Sequence, residues 1–179
     1  MGARTNSTHM SQSTPPINVA LLRDPGHLLA VGLGSGLAPF APGTFGSALG
    51  LLLALPLIRL GVETFALATL VMAVLSVPLC GRMSRALGVH DHGGIVLDEF
   101  AGVWLNLLTA VLLTGFSWPV VAAAFFWFRV FDIAKPWPVS VADRRFKGGF
   151  GIVADDLLAG LFGGFAVWGT MALFEVLRA

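Results

Sequence analysis

Long stretches of this 179-residue sequence carry no charged side chain. Residues 100–128 and 157–174 contain none, and residues 25–81 contain two. The chain is 56% hydrophobic and 12% charged, and its mean hydropathy is +0.83. A soluble chain of this size has too small an interior to bury so much apolar surface. The sequence therefore predicts an integral membrane protein; a very apolar soluble helical domain is the alternative.

Five apolar segments account for these stretches. They are long and rich in Leu and Ala, and a sheet with open edges cannot face lipid, so we expect helices. A full crossing needs about 20 residues, which favours the second and fifth segments as spans. The expected fold is all-α, a polytopic membrane helical bundle of four to five transmembrane or half-embedded helices with Gly-rich cytoplasmic loops. The segments are residues 45–58, 64–81, 100–114, 118–133 and 157–176.

The loops between these segments differ in length and charge. Three long, Gly-rich loops, 24–44, 82–98 and 134–156, share one face if the chain crosses the membrane five times. That face also collects most of the Arg and Lys residues, and basic loops mark the cytoplasmic side. We therefore expect the N-terminus and the long loops in the cytoplasm. The C-terminus lies outside unless segment 118–133 only dips into the membrane.

The N-terminal segment, the net charge and the cysteine count limit the domain organisation and the possible partners. Residues 1–23 are expected to be a disordered or tag-like tail without a cleavable signal peptide, and residues 24–179 a single membrane-embedded catalytic domain. A net charge of +1 gives no case for nucleic acid as a partner. The single cysteine, Cys80, excludes an internal disulfide framework. An oligomer whose subunits share loops is compatible with the sequence, but no sequence feature argues for one.

One acidic phrase occurs twice, as Gly-Ile-Val-Leu-Asp-Glu in residues 94–99 and as Gly-Ile-Val-Ala-Asp-Asp in residues 151–156. Each copy leads directly into an apolar segment. Adjacent carboxylates at the mouth of a membrane helix are costly to desolvate and repel each other, and a hard divalent cation relieves both effects. An even number of crossings separates the copies, so both face one compartment. The candidate metal ligands are Asp98, Glu99, Asp155 and Asp156.

The loop before the first apolar segment ends in Pro-Gly-Thr-Phe-Gly-Ser, residues 42–47. Small residues allow backbone amides to approach an anion, and Thr44 or Ser47 can donate a hydroxyl to it. No Walker lysine is present, which excludes a nucleotide P-loop. The alternative is structural: Thr44 or Ser47 caps the helix, and the glycines allow close helix packing.

Three polar residues, His90, Asp91 and His92, precede the first acidic pair. Because histidine titrates near neutral pH, they could extend a metal site or transfer protons. A solvated turn at the membrane interface explains them equally well.

The fourth apolar segment contains Arg129 and Asp132 and leads to Lys135. Residues three apart lie near one face of a helix, and charges in an apolar helix should face a cavity or each other. A structural pair of Arg129 with Asp132 is one interpretation. The other assigns the cations to a phosphate and the carboxylate to a metal or to the orientation of Arg129. The next loop adds Arg144, for which contact with a phosphate and contact with anionic lipid are alternative interpretations.

Four of these motifs occur in order over roughly residues 24–164. They are Gly-Leu-Gly-Ser-Gly-Leu-Ala-Pro with Ala-Pro-Gly-Thr-Phe-Gly-Ser, then Gly-Val-His-Asp-His-Gly-Gly-Ile-Val-Leu-Asp-Glu, Phe-Arg-Val-Phe-Asp-Ile-Ala-Lys-Pro-Trp-Pro and Gly-Ile-Val-x-Asp-Asp-x-x-Ala-Gly. In this the sequence resembles the phosphatidylglycerophosphatase A family. The resemblance implies a magnesium-dependent, multi-pass enzyme of the bacterial inner membrane, active at its cytoplasmic face. Its substrate would be the membrane lipid phosphatidylglycerophosphate, dephosphorylated to phosphatidylglycerol.

This hypothesis distributes roles over the candidate residues. The two acidic pairs would hold Mg²⁺, and the cations would hold the phosphate. Attack by water and a covalent phospho-enzyme both stay open. A cation-coupled membrane transporter is the alternative function, but it would need its paired carboxylates near mid-membrane. The expected catalytic residues are Asp98, Asp155, Asp132, His90 and His92, and the expected substrate-binding residues are Thr44, Ser47, Arg129, Lys135 and Arg144.

Overall fold

The computed structural model describes residues 16–90 and 92–178. Within those ranges the chain forms seven α-helices and two 3₁₀ helices, which confirms the predicted all-α fold. The 3₁₀ helices, Val19–Arg23 and Gly32–Leu37, flank the first α-helix. The α-helices are α1 (Pro25–Ala30), α2 (Pro42–Arg59), α3 (Val62–Leu87), α4 (Leu97–Thr114), α5 (Trp118–Ala134), α6 (Val139–Arg145) and α7 (Gly148–Arg178).

Four of these helices, α2, α3, α4 and α7, are long and apolar enough to cross a membrane, judged by length and composition. This confirms the predicted membrane bundle. With 17 residues, α5 is one residue shorter than α2 and α4 and falls just outside that group. Its position in the bundle therefore has to be inferred from its contacts.

α5 packs antiparallel to α7. Near its end, the Phe131 ring stacks on Phe162 with centroids 6.2 Å apart. One turn earlier on α5, Trp127 Nε1 donates to Thr170 Oγ1 over 3.0 Å, eight residues later on α7. Residue numbers therefore fall along α5 as they rise along α7. The start of α5 lies beside the end of α4, so α5 runs back through the bundle to the end at which α4 begins.

The interior is organised around α4, which packs against α2, α3, α5 and α7. Glycines on α7 allow the closest of these contacts. A Cβ added at Gly160 would lie 2.2 Å from the Gly102 carbonyl oxygen, and one at Gly163 would lie 2.0 Å from Asn106 Nδ2. Lipid tails are as apolar as the helix surfaces, so membrane helices associate through such close packing of small residues. The acidic start of α4 is thereby fixed against α7.

α7 differs from its predicted boundaries. It begins at Gly148 and not at residue 157, so Asp155 and Asp156 lie two turns inside the helix. The expectation that both acidic pairs stand at a helix mouth is wrong for this pair, whereas Asp98 and Glu99 do occupy the first turn of α4. The residues just before this pair, Ile152, Val153 and Ala154, are buried, and the first two belong to an apolar cluster that includes Cys80 of α3 and Phe100 of α4.

The predicted N-terminal tail is only partly covered, since residues 1–15 lie outside the described residues. Its last part includes the 3₁₀ helix Val19–Arg23, whose Leu21 and Leu22 pack against a buried cluster containing Ala30 and Met83. Ordered packing thus begins before the predicted boundary at residue 24.

Candidate active site

An ion-paired arginine joins three helices at one end of the bundle. Arg129 Nη1 lies 2.6 Å from Glu99 Oε2 and 2.7 Å from Asp132 Oδ2, and it donates to Ser47 Oγ over 3.1 Å. The Arg129 and Glu99 side chains are 15% and 12% exposed. The predicted Arg129–Asp132 pair therefore exists, and it is extended by groups from α2 and α4.

The first turns of α2 contribute the Ser47 hydroxyl to this cluster. Ser47 Oγ lies 2.9 Å from the Gly43 carbonyl oxygen and also hydrogen-bonds the Glu99 carboxylate. Ala41, with φ +44°, occupies the N-cap position of α2, and no side chain caps the helix. The capping alternative for Thr44 and Ser47 is therefore wrong, because Pro42 starts the helix from the Ala41 turn.

Gly43 is a site residue that the sequence did not single out. A Cβ added there would lie 1.9 Å from Glu99 Oε1, closer than any real contact. The absence of a side chain at this position leaves room for the Glu99 carboxylate. The Gly-rich pattern indicated close backbone approach, but it did not indicate that a carboxylate from α4 would be the neighbour.

A second cation lies at the end of α5. Lys135 Nζ pairs with Asp143 Oδ1 over 2.8 Å and also with Asp155 Oδ2. Burial acts to lower the pKa of Lys135, but its hydrogen bonds and ion pairs with these two carboxylates outweigh burial and raise the pKa above its ordinary value. Lys135 is therefore charged at neutral pH. Asp143, on α6, was not predicted as a site residue.

The acidic residues surround Asp156, which is buried on α7. Its electrostatic neighbours are Asp98, Asp132, Glu99 and Asp155. Asp98 is also buried, and its Oδ1 accepts the Glu99 backbone N–H over 3.0 Å. All four predicted metal ligands are thus brought together with Asp132, which was predicted as a catalytic residue.

These acids are not arranged as a finished metal site. Within residues 16–90 and 92–178, no group of three or more His, Cys, Asp or Glu side chains is placed so that it could hold a metal ion. Arg129 and Lys135 occupy oxygens of Glu99 and Asp155. Asp155 Oδ1, by contrast, is buried without a hydrogen-bond partner in this part of the chain.

The two histidines lie in different places. His90 Nε2 accepts the Gly148 backbone N–H over 2.9 Å, and His90 lines a cavity of about 80 Å³ together with Asp143 and Asp155. His92 Nδ1 accepts the Gly94 N–H over 3.0 Å, and its side chain lines a separate cavity of about 660 Å³. The prediction for Asp91 lies outside the described residues.

The two remaining predicted residues, Thr44 and Arg144, lie at the edge of the site. Thr44 is half-buried in the first turn of α2, near Gly43. Arg144 is exposed on α6, whose Val139 and Ala142 anchor the helix to the bundle. Arg144 is therefore close in sequence to Asp143 but does not share its contact with Lys135.

The arrangement combines clustered carboxylates with two cations at one end of a membrane bundle. Carboxylates suit a hard cation and guanidinium or ammonium groups suit phosphate oxygens, so the set is suited to phosphoryl chemistry. The transporter alternative is not favoured, because the acids lie toward one end of α4 and α7 and not at their centres.

Comparison with known proteins agrees with this chemistry. A family model described as phosphatidylglycerophosphatase A matches residues 28–171, which include every site residue discussed above. A Haemophilus influenzae protein named phosphatidylglycerophosphatase A is 44% identical over 154 residues, covering 86% of this chain and 92% of that protein. An Escherichia coli protein of the same name is 42% identical over 140 residues, covering 78% and 80%.

A third relative carries a different name. It is a Bacteroides thetaiotaomicron protein described as a candidate phosphatidylinositol-3-phosphatase, 38% identical over 140 residues that cover 75% of this chain and 86% of that protein. No solved structure matches the chain closely enough to count as a relative. The family match over most of the chain and the two relatives above 40% identity agree: the chain belongs to the phosphatidylglycerophosphatase A family of lipid phosphatases.

Proposed function

We propose that this chain hydrolyses the terminal phosphomonoester of phosphatidylglycerophosphate to phosphatidylglycerol and inorganic phosphate. The observation that carries the proposal is the meeting of Arg129 and Lys135 with both acidic pairs at one end of a membrane bundle. Two relatives named for this activity support it. A lipid substrate suits the site, because its acyl chains can stay in the bilayer while the headgroup reaches the helix ends.

We propose Mg²⁺ as the cofactor, held by Asp98, Glu99, Asp155 and Asp156. The donor set fits a hard cation, since it is all oxygen and Asp155 Oδ1 is buried without a partner among the described residues. Five carboxyl groups, counting Asp132, also outnumber the two cationic side chains beside them. When bound, the ion would polarise the phosphoryl group and lower the pKa of an attacking water.

Arg129 and Lys135 bind the phosphate in this proposal. Both cations are paired with carboxylates in the structure, and a phosphate dianion would compete for the same nitrogens. Arg129 Nε adds a buried donor that has no partner in the described part of the chain. Transfer of the cations to phosphate would free oxygens of Glu99 and Asp155 for the metal. Binding of the phosphate and binding of the metal ion should therefore favour each other.

Two further groups have supporting roles. Asp132 holds the Arg129 guanidinium through the 2.7 Å contact and so fixes its orientation. His90 is the better placed histidine for protonating the leaving alkoxide, because it shares a cavity with Asp155. Proton donation needs the doubly protonated ring, in which both nitrogens are donors, so the Gly148 hydrogen bond to Nε2 would have to open when His90 acts as an acid.

We place the site at the cytoplasmic face of the bacterial inner membrane. The argument is charge, because basic residues next to spans favour the cytoplasmic side. The opposite end of the bundle has only Arg59 and Arg178 among the described basic residues. The site end carries Arg23, Arg82, Arg85, Lys135, Arg144, Arg145 and Lys147.

The test is phosphate release by purified protein from phosphatidylglycerophosphate in mixed micelles, with Mg²⁺ and with a chelator. We expect release with the metal and at least a 100-fold loss in Asp98→Asn and in Asp155→Asn. Glu63→Gln, an exposed acid at the opposite end of the bundle, is the matched control and should keep full activity.

The possible outcomes separate the parts of the proposal. Absence of release from any phosphomonoester lipid contradicts the enzyme assignment. Equal release in the chelator contradicts the cofactor alone. Faster release from phosphatidylinositol 3-phosphate would favour the activity named for the Bacteroides relative.

A further inference from the structure

The short helix α6 has one face on the bundle and one face directed away from it. Val139 and Ala142 are buried against the bundle. Asp143, one turn after Val139, continues this inner face and pairs with Lys135. The proposed hydrolysis uses only the inner face. The outer face consists of Val141, Arg144 and Arg145, which are exposed and spaced three and four residues apart.

Exposed aromatic rings lie at both ends of α6. Trp137, two residues before the helix, is 81% exposed. After the helix, the exposed rings of Phe146 and Phe150 meet edge to face with centroids 5.1 Å apart. Phe150 belongs to the first turn of α7, a helix long enough to cross the membrane. Aromatic side chains at the end of such a helix are typical of the membrane–water interface, so α6 lies at the level of the lipid headgroups.

The outer face of α6 and the residues after it are basic. Arg144, Arg145 and Lys147 are exposed, and none of them forms an ion pair within residues 16–90 and 92–178. Asp143 is the only acidic residue in the sequence from 137 to 150, and Lys135 pairs with it. Three cations at headgroup level therefore lack a carboxylate partner in the described part of the chain.

Other basic residues at this end of the bundle do not form such a surface. Arg82 pairs with Asp24 over 2.9 Å. Arg23 and Arg85 are exposed, but they lie on separate elements, the 3₁₀ helix before α1 and the last turn of α3. The combination of clustered cations and exposed aromatic rings is therefore a feature of α6 and its flanking residues.

We propose that the outer face of α6 binds the headgroups of anionic phospholipids other than the molecule being hydrolysed. Charge complementarity selects this occupant, because basic side chains at a membrane surface attract anionic headgroups and the aromatic rings hold α6 at their level. Arg144 is then a lipid contact and not a phosphate ligand of the site, since it does not share the contact of Asp143 with Lys135. The proposal does not depend on the reaction that the site performs.

Fluorescence quenching tests the proposal without any turnover. The protein is placed in phosphatidylcholine nanodiscs that contain a small fraction of either phosphatidylserine or phosphatidylcholine with brominated acyl chains. Phosphatidylserine is anionic but carries no phosphomonoester. The difference between wild type and Trp137→Phe isolates the signal of Trp137. We expect brominated phosphatidylserine to quench Trp137 at least threefold more than brominated phosphatidylcholine does. Equal quenching by the two lipids would overturn the proposal.

Two matched double variants assign the preference to α6. Arg144→Gln with Arg145→Gln should remove most of the preference for phosphatidylserine. Arg23→Gln with Arg85→Gln removes the same charge from the same end of the bundle and should keep the preference. Equal loss in the two variants would mean that the whole basic end attracts lipid, and it would overturn the assignment to α6. Arg144→Lys with Arg145→Lys retains both charges and should behave as wild type.

A soluble anion distinguishes a lipid surface from a phosphate pocket. Inorganic phosphate at matched ionic strength should leave the preference unchanged, whereas high salt should weaken it because the cations are exposed. Loss of the preference in inorganic phosphate alone would indicate a site for free phosphate and would overturn the proposal. If the protein releases no phosphate from any lipid, the proposed function fails while the quenching result still decides what α6 binds.

Discussion

Arg129 Nη1 lies 2.6 Å from Glu99 Oε2, and this ion pair joins the last turns of α5 to the first turn of α4. Both side chains are mostly withdrawn from water. Breaking a buried pair by removing one partner costs about 3–5 kcal/mol, because the other charge stays buried. The contact therefore fixes the helix ends against each other, and it holds the cation that we propose binds phosphate.

Replacement of Arg129 by lysine tests how far the site depends on the guanidinium. Arg129→Lys keeps the charge but loses the planar fork that reaches Glu99, Asp132 and Ser47 together. We expect kcat/KM to fall about 100-fold, the typical cost of one transition-state donor. Phosphate release measures it, with Arg145→Lys on the exposed side of α6 as control. Full activity in Arg129→Lys would mean that an ammonium group suffices at this position and that the planar fork is not needed.

Gly43 offers a way to move Glu99 without removing it. In Gly43→Ala the new methyl group must displace Glu99 Oε1, which ends a flexible side chain, so the helices can stay in place. We expect activity to drop by about 10- to 100-fold, as for a misplacement of about 1 Å, while the melting temperature is nearly unchanged. Gly93→Ala is the matched control, since a Cβ there meets no atom within 4 Å. Equal activity of the two variants would contradict a role for the Glu99 position.

The fold could be predicted from the sequence to a large extent because uncharged runs of this length are stable only as membrane helices. The start of α7 was missed because Gly148, Gly149 and Gly151 resemble a loop. In a membrane bundle, glycine is frequent within helices and is used for close packing. The depth of Asp155 and Asp156 was misplaced for the same reason.

The candidate site could be predicted by residue type but, apart from the Arg129–Asp132 pair, not by partner. Asp98, Glu99, Arg129 and Lys135 are conspicuous because charge in an apolar segment is costly. Asp143 gave no such signal, because it lies in a charged loop segment and gains its role only when α6 folds back on Lys135. The histidines show the converse: closeness in sequence did not bring them to one cavity.

Asp143 is expected to act as a positioning residue for Lys135. The two side chains are 38% and 30% exposed, and such a pair contributes at most about 1 kcal/mol. We therefore expect Asp143→Asn to raise KM by no more than about fivefold with little change in kcat. Asp155→Asn, by comparison, should abolish turnover. Steady-state kinetics on both variants check this, and Asp143→Glu should restore KM. A large fall in kcat in Asp143→Asn would instead indicate a direct role in the chemistry.

The contact between α3 and α7 should be the most sensitive to added volume. A Cβ at Gly149 would lie 1.9 Å from the Val77 carbonyl oxygen and 3.0 Å from Gly81 Cα. These are backbone atoms and cannot rotate away, so Gly149→Ala must push the helices apart. Overpacking of this kind typically costs about 1–3 kcal/mol. It should also disturb the neighbouring hydrogen bond from Gly148 to His90 and so lower activity.

Gly169 on the same helix provides the control for this prediction. A Cβ there meets no atom within 4 Å, and alanine favours a helix over glycine by up to about 1 kcal/mol. Gly169→Ala should therefore melt at or above the wild-type temperature, and Gly149→Ala several degrees below it. Thermal unfolding in detergent, followed by helical circular dichroism, checks both variants. Coincident melting curves would mean that α3 and α7 do not approach as closely as these backbone distances require.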